Sequence, residues 1–277
     1  MTRGPSSTHR NGNAMADGPH NPLHLMLDRL GSRRPFGDED RAAILNLPYT
    51  RQSLGAHAYV VREGDKPTHC CLLLDGFLYR HKVVGDGGRQ ICAIHIKGDL
   101  ADLQNSLLEE ADHSLQALTP CDIAVIPREA IRKLAFERPA VGEAMWRETL
   151  IDASISREWI TNIGRRPARR RLAHLLCEYA VRLEAAGLAE REKYTLEMTQ
   201  EQLADCTGLT PVHVNRTLRE MDSEGLLTRS SRSVAVNDWS KLVAVGDFRP
   251  DYLHLPKDQM DRYQRGAGQS RGPLGFG

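Results

Sequence analysis

Residues 199–221 read TQEQLADCTGLTPVHVNRTLREM, and the fold turns on this stretch. Thr199 followed three residues later by Gln202 is the pattern of a capping box, in which two side chains satisfy the open N–H groups of a helix start. Leu203 supplies an inward face, and Ala204 is small enough for a close helix crossing. Gly208 stands where a turn between helices needs a left-handed residue. A second helix then opens with Thr210 as N-cap and Pro211 in its first turn. Val214 and Leu218 lie four apart and face inward, which leaves Val212, His213, Asn215, Arg216 and Arg219 on the other faces. The pattern predicts a helix-turn-helix whose second helix offers its N-terminal residues to base edges in the major groove. Arginine pairs twice with guanine, and asparagine with adenine.

Working outward, Gly225-Leu226-Leu227-Thr228 leads through Arg229-Ser230-Ser231-Arg232-Ser233 to Val234-Ala235-Val236. This predicts a two-stranded wing with a basic, hydroxyl-rich tip suited to phosphate oxygens. The expected DNA contacts are therefore Thr210, Val212, His213, Asn215, Arg216, Arg219, Arg229 and Arg232. Residues 165–232 hold 12 Lys/Arg against 10 Asp/Glu, so basic groups must be sorted to one face to serve DNA. The run Arg165-Arg166-Pro167-Ala168-Arg169-Arg170-Arg171 reads either as part of that patch or as a solvated hinge.

Before it, Met145, Ile151, Ile155, Trp159 and Ile163 recur at helical spacing, with Leu150 beside the stripe. A helix over about residues 141–163 is expected. Two readings stand for its apolar stripe: pairing with a copy of itself, or packing on its own N-terminal domain. A further helix follows Pro167, carrying Leu172, Leu175, Leu176, Tyr179, Ala180 and Leu183.

Residues 57–127 read differently. Short apolar runs such as Cys70-Cys71-Leu72-Leu73-Leu74 and Ile91-Cys92-Ala93-Ile94 alternate with glycine turns. Many short strands of this kind predict a β-barrel or sandwich.

The formal net charge of the 277-residue chain is +1, so bulk charge does not announce a nucleic-acid partner. No run of about 18 apolar residues exists, so no membrane span is expected. Residues 1–22 lack the apolar core of a secretory signal and read as a disordered tail, as does the stretch 257–277. A cytoplasmic chain is the expectation. The six cysteines form no C-x-x-C pair, which leaves buried thiols as the main reading and a redox or metal role for Cys70 and Cys71 as the other. No nucleophile elbow, phosphate loop or zinc-protease motif is present, so no catalytic residue and no enzyme activity are expected.

Taken together, the order resembles the Crp/Fnr family of bacterial regulators. The turns Glu63-Gly64-Asp65, Leu74-Asp75-Gly76 and Lys97-Gly98-Asp99 and the helix Thr210-Pro211-Val212-His213-Val214-Asn215-Arg216-Thr217-Leu218 carry that resemblance. It implies an α+β chain: an N-terminal cyclic-nucleotide-binding-like β-roll (23–140), a dimerisation helix (141–164) and a winged helix-turn-helix (165–245), followed by a C-terminal tail (246–277). It implies double-stranded DNA, a second copy of the chain and RNA polymerase as partners. Arg216 falls on a base-reading position, while Val212 stands where the cyclic-AMP regulator has a glutamate. In the sensor, Asp102-Leu103 replaces the family's Gly-Glu, and His113-Ser114 replaces its Arg-Ser. Asp102, His113 and Ser114 are thus the effector-pocket candidates. An acidic group and a neutral imidazole are poor substitutes for the cation that a cyclic phosphate needs. The first cysteine is Cys70, so the N-terminal cluster of the oxygen-sensing members is missing. No cofactor or metal is expected, although His57, His69, His81, His95 and His113 keep a haem-type sensor open.

Overall fold

The structure, a computed structural model, describes residues 21–266. Two short helices, α1 (His24–Gly31) and α2 (Asp38–Leu45), precede seven strands: β1 (Thr50–Leu54), β2 (Tyr59–Val61), β3 (His69–Asp75), β4 (Leu78–Val83), β5 (Arg89–His95), β6 (Ser114–Ala117) and β7 (Cys121–Pro127). These strands form two antiparallel sheets, ordered β1-β7-β3 and β2-β6-β4-β5. The apolar run of β3 follows from burial on both of its faces. Cys71 and Leu73 point between the sheets, with Leu78, Leu115 and Ile123. Cys70, Leu72 and Leu74 point the other way, into a core shared with Met26, Ile131 and Met145. A strand covered on both sides loses the alternation that marks a half-exposed one. By contrast β1, Thr-Arg-Gln-Ser-Leu, is a mostly exposed edge strand paired with β7, and its polar sequence gave no strand signal.

Helices α3 (Arg128–Glu137) and α4 (Pro139–Arg165) follow, separated by Arg138. Pro139 lies in the first turn of α4, where its missing N–H costs nothing. At 27 residues α4 spans about 40 Å. Its stripe packs inward: Met145, Ile151 and Trp159 are buried, and Ile155 packs against the C-terminal core. The apolar residues that suggested self-pairing are therefore already covered by this chain. A second stripe, Trp146, Leu150 and Ile160, lies exposed on the opposite side, at 67%, 54% and 71%.

The C-terminal domain comprises α5 (Ala168–Ala185), β8 (Lys193–Thr195), α6 (Gln200–Thr207), α7 (Pro211–Ser223), β9 (Leu227–Ser230), β10 (Ser233–Val236) and α8 (Trp239–Gly246). β10 pairs with both β9 and β8, so the wing has a third strand that the sequence reading did not separate from its surroundings.

The two ends of the fold differ from expectation. Residues 246–266 are not a free tail. A 3-10 turn, Pro250–Leu253, and α9 (Lys257–Gly266) follow α8, and Phe248, Leu253 and Tyr263 are buried against α5 and its neighbours. A few aromatics spaced through a polar stretch carry no local periodicity, yet they are enough to anchor it once α5 is in place. Asn21 and Pro22 likewise belong to the fold: Asn21 accepts from Leu23 N–H at 3.0 Å and donates to the Leu45 carbonyl at 2.9 Å. The remaining expected tail residues, 1–20 and 267–277, lie outside the described residues. No helix among the described residues is long and apolar enough to cross a membrane. All six cysteines are free thiols, and only Cys92 is more than slightly exposed.

Candidate nucleic-acid interface and sensor cavity

Helix α6 begins with the expected capping box: Gln202 N–H donates to Thr199 Oγ1 at 3.2 Å, and Thr199 N–H donates to Gln202 Oε1 at 2.8 Å. It ends at Gly208, whose φ of 63° and ψ of 39° are the left-handed conformation that favours glycine. Leu209 N–H then closes on the Ala204 carbonyl at 3.1 Å. Helix α7 starts at Thr210, which accepts from His213 N–H at 3.3 Å, with Pro211 in the first turn. Leu203, Ala204, Val214, Leu218 and Met221 are buried and fix the angle between the two helices.

With that face buried, the outer face of α7 is set. Val212 is 80% exposed. Arg216 and Arg219 are exposed beside it, and His213 and Asn215 are half-buried. Arg216 is held only loosely, 3.9 Å from Glu220 one turn on, so its guanidinium is available to a partner. At the wing, Ser231 takes a φ of 56° and turns the chain from β9 to β10. Arg232 is exposed and pairs with Glu197 at 3.1 Å. Arg229 is half-buried, with Nε enclosed and unpartnered.

The arginine run at 165–171 divides between two roles. Arg166 pairs with Glu158 at 2.6 Å. Arg169 pairs with Glu224. Arg171 donates to the carbonyls of Arg166 and Thr207 at 2.7 and 3.0 Å. These three hold the junction together. Arg165 and Arg170 are exposed, with no partner among the described residues.

Between the β-roll and α4 lies a cavity of about 590 Å³. Of the three expected pocket residues only His113 lines it. Its Nδ1 lies 2.6 Å from Asp112, and burial, with Arg80 nearby, holds its pKa below the ordinary value. Asp102 is buried and faces the other way, where its Oδ1 accepts from Cys71 N–H at 2.6 Å. Burial pushes its carboxyl up to about 6 against these hydrogen bonds. Ser114 accepts from Glu63 N–H at 3.1 Å and serves a turn. Of two further lining residues, Arg80 was not singled out in the sequence, and His95 stood there only among the sensor histidines. Arg80 reaches in from β4, paired with Asp152 of α4 at 2.6 Å and donating to the Ala101 carbonyl at 2.8 Å. His95, at the end of β5, is buried with Nε2 unpartnered. Alternation along β4 and β5 was the available signal, but it does not say which side would face a cavity.

Comparison with known proteins bears on both halves. The family described as "Crp-like helix-turn-helix domain" matches residues 170–245, and "Cyclic nucleotide-binding domain" matches residues 51–138. The transcriptional activator protein FnrL of Cereibacter sphaeroides is 26% identical over 209 residues, 74% of this chain and 83% of that protein. The nitrogen fixation regulation protein FixK of Azorhizobium caulinodans is 28% identical over 172 residues, 62% of this chain and 68% of that one. Among solved structures, FixK2 from Bradyrhizobium japonicum aligns with a TM-score of 0.67 at 23% identity, covering 72% of this chain and 98% of its own.

Proposed function

The chain belongs to the Crp/Fnr family of DNA-binding transcription regulators, and from that premise we propose that it binds a two-fold operator as a homodimer, reading each half-site with α7. The observation that carries this reading is the double-faced character of α4. Its inward face is filled by its own chain, while Trp146, Leu150 and Ile160 stay exposed, Ile160 also bordering the sensor cavity. Trp146 and Leu150 are one helical turn apart and Ile160 lies two heptads beyond Trp146, the spacing of a helix-pairing seam. A second copy of α4 is the proposed occupant. The proposed base readers are Val212, His213, Asn215, Arg216 and Arg219, with Thr210, Arg229 and Arg232 at the backbone. RNA polymerase is the proposed further partner, and the cytoplasm is the proposed location. The relatives are named as regulators rather than enzymes, and we assign this chain no catalysis.

The sensor cavity is proposed as the effector site, for a ligand other than a cyclic nucleotide. The cation that enters it from β4, Arg80, is already paired with Asp152. A cyclic phosphate at Arg80 would have to displace that carboxylate, and burial lowers the His113 pKa and disfavours its cationic form.

Selection of bound fragments from genomic DNA by the full chain tests the main reading. The expected product is an inverted repeat with half-site centres about 10–10.5 base pairs apart or a multiple of that. Arg216→Ala is expected to lose roughly 1–3 kcal/mol of binding and to relax the sequence at one position. Recovery of isolated single half-sites would overturn the homodimer, and unchanged sequence preference in the variant would remove Arg216 as a reader.

A further inference from the structure

The helix-turn-helix does not hang from α4 by a free hinge. Arg89, at the start of β5, lies 2.7 Å from Asp205 of α6. Its neighbour Gln90 donates to the Asp205 carbonyl at 2.6 Å. The first helix of the motif is therefore held by the sensor sheet through one carboxylate and one backbone oxygen. Tyr79 of the sensor braces Arg89 from behind, its hydroxyl 3.3 Å from the guanidinium. The apolar cores agree: the core of the C-terminal domain runs without a break into Tyr79, Ile91, Ile94 and Ile96.

A second tie is the segment after the helix-turn-helix match, which ends at residue 245. It turns back over α5 and α4. Tyr252 donates its hydroxyl proton to Glu178 of α5 at 2.7 Å. The same carboxylate receives the indole N–H of Trp159 of α4 at 3.0 Å. One step further, the His254 carbonyl accepts from Arg33 of the sensor at 2.8 Å, and the His254 ring lies 3.3 Å from Ser154 of α4. Tyr263 donates to Glu184 at 2.6 Å and closes the segment onto α5. This returning segment touches the DNA-binding domain, the sensor and the long helix.

We infer that residues 247–263, together with the Arg89–Asp205 pair, form a clasp that sets the orientation of α7 relative to the sensor, with Arg89 and Tyr252 as positioning residues for DNA binding. Neither tie touches the outer face of α7, where Val212 and Arg216 stay exposed, nor the Trp146–Ile160 stripe. The clasped form therefore presents its reading face and its pairing face together. Its role in DNA binding rests on the homodimer proposed above. In such a dimer a rigid link between seam and reading helix favours one half-site separation. A loose tether accepts a range of separations and loses effective concentration at the best one.

The test uses the full chain and duplexes carrying the selected half-sites at the natural spacing and at spacings shifted by one and two base pairs. Tyr252→Phe keeps the ring and removes the hydroxyl, and Arg89→Ala removes the ion pair. The wild type is expected to lose about tenfold in affinity on a two-base-pair shift, and the double variant under about threefold, with weaker binding at the natural spacing. Arg89→Lys is expected to restore part of the preference. Simple destabilisation would weaken binding at every spacing alike. Trypsin cleavage at the arginines of 165–170 reads the clasp without DNA: the double variant is expected to be cut there at least several-fold faster, giving two fragments. An unchanged spacing profile overturns the inference, as does unchanged cleavage. Tighter binding by the variants also overturns it, since the clasp would then hold α7 away from DNA. Should the wild type bind a single half-site as tightly as a pair, the homodimer fails and the cleavage rates alone decide the clasp.

Discussion

Asp99 Oδ2 lies 3.0 Å from Arg182 Nη2, so a carboxylate in the turn after the sensor's fifth strand is ion-paired with the first helix of the DNA-binding domain. Arg29 approaches the other oxygen at 3.5 Å, and the His95 ring lies 3.7 Å away. Burial alone would raise this carboxyl, but these neighbours outweigh it and hold its pKa well below the usual carboxylate range. Asp99→Asn leaves the largely enclosed Arg182 with only Glu178, at 3.7 Å, as a counter-charge. Chemical denaturation at pH 7 should show a loss of about 3 kcal/mol. The folded pKa is depressed, so this contribution is present above the ordinary carboxylate pKa and is lost as pH falls below it. The wild type should therefore lose stability more steeply than the variant in acid.

Asp102 titrates in the opposite sense. Its folded pKa is raised from 3.8 to about 6, so the unfolded chain ionises first. Folding is penalised increasingly between those values and by a constant amount above them. Asp102→Asn keeps an oxygen for Cys71 N–H and removes the penalty. Its stability relative to wild type should rise by about 2 kcal/mol between pH 4 and pH 7. Melting curves taken across that range check this, and parallel curves would contradict it.

Opposite faces of α4 should answer differently to the same substitution. Ile151→Asp buries a charge in the chain's own core, and should unfold the protein or cost more than about 4 kcal/mol. Trp146→Asp places the charge on the exposed stripe and should leave the melting of the isolated chain nearly unchanged. Sedimentation should then find Trp146→Asp monomeric where the wild type is dimeric.

Two glycines with positive φ should differ in cost. At Gly208 a Cβ would stand 3.3 Å from Ile163 Cγ2, a side-chain methyl rather than backbone. Gly208→Ala should cost about 1 kcal/mol. At Gly76 (φ 79°) a Cβ would fall 2.4 Å from the Pro120 carbonyl oxygen and 2.7 Å from Cys121 Cβ. Backbone cannot step aside as cheaply, so Gly76→Ala should cost about 3 kcal/mol or more. Denaturant midpoints of the two variants rank them directly.

What the sequence determined by itself was local. The helix-turn-helix was legible because caps, a left-handed glycine, a proline and helical spacing all act within a few residues, as Thr199, Gln202, Gly208, Thr210 and Pro211 show. The β-roll was legible for the same reason, through its glycine turns and short apolar runs. The tertiary structure decided everything that joins segments far apart in the chain. It turned the expected stripe of α4 inward and left Trp146, Leu150 and Ile160 outside, because a helix with apolar residues on two faces does not say which one its own domain will cover. It turned Asp102 away from the cavity and brought Arg80 and His95 into it, because strand alternation gives two sides without saying what each one meets. It also drew the polar segment after residue 246 back across α5, where Tyr252 meets Glu178. That contact spans 74 residues of chain, and no local pattern encodes it.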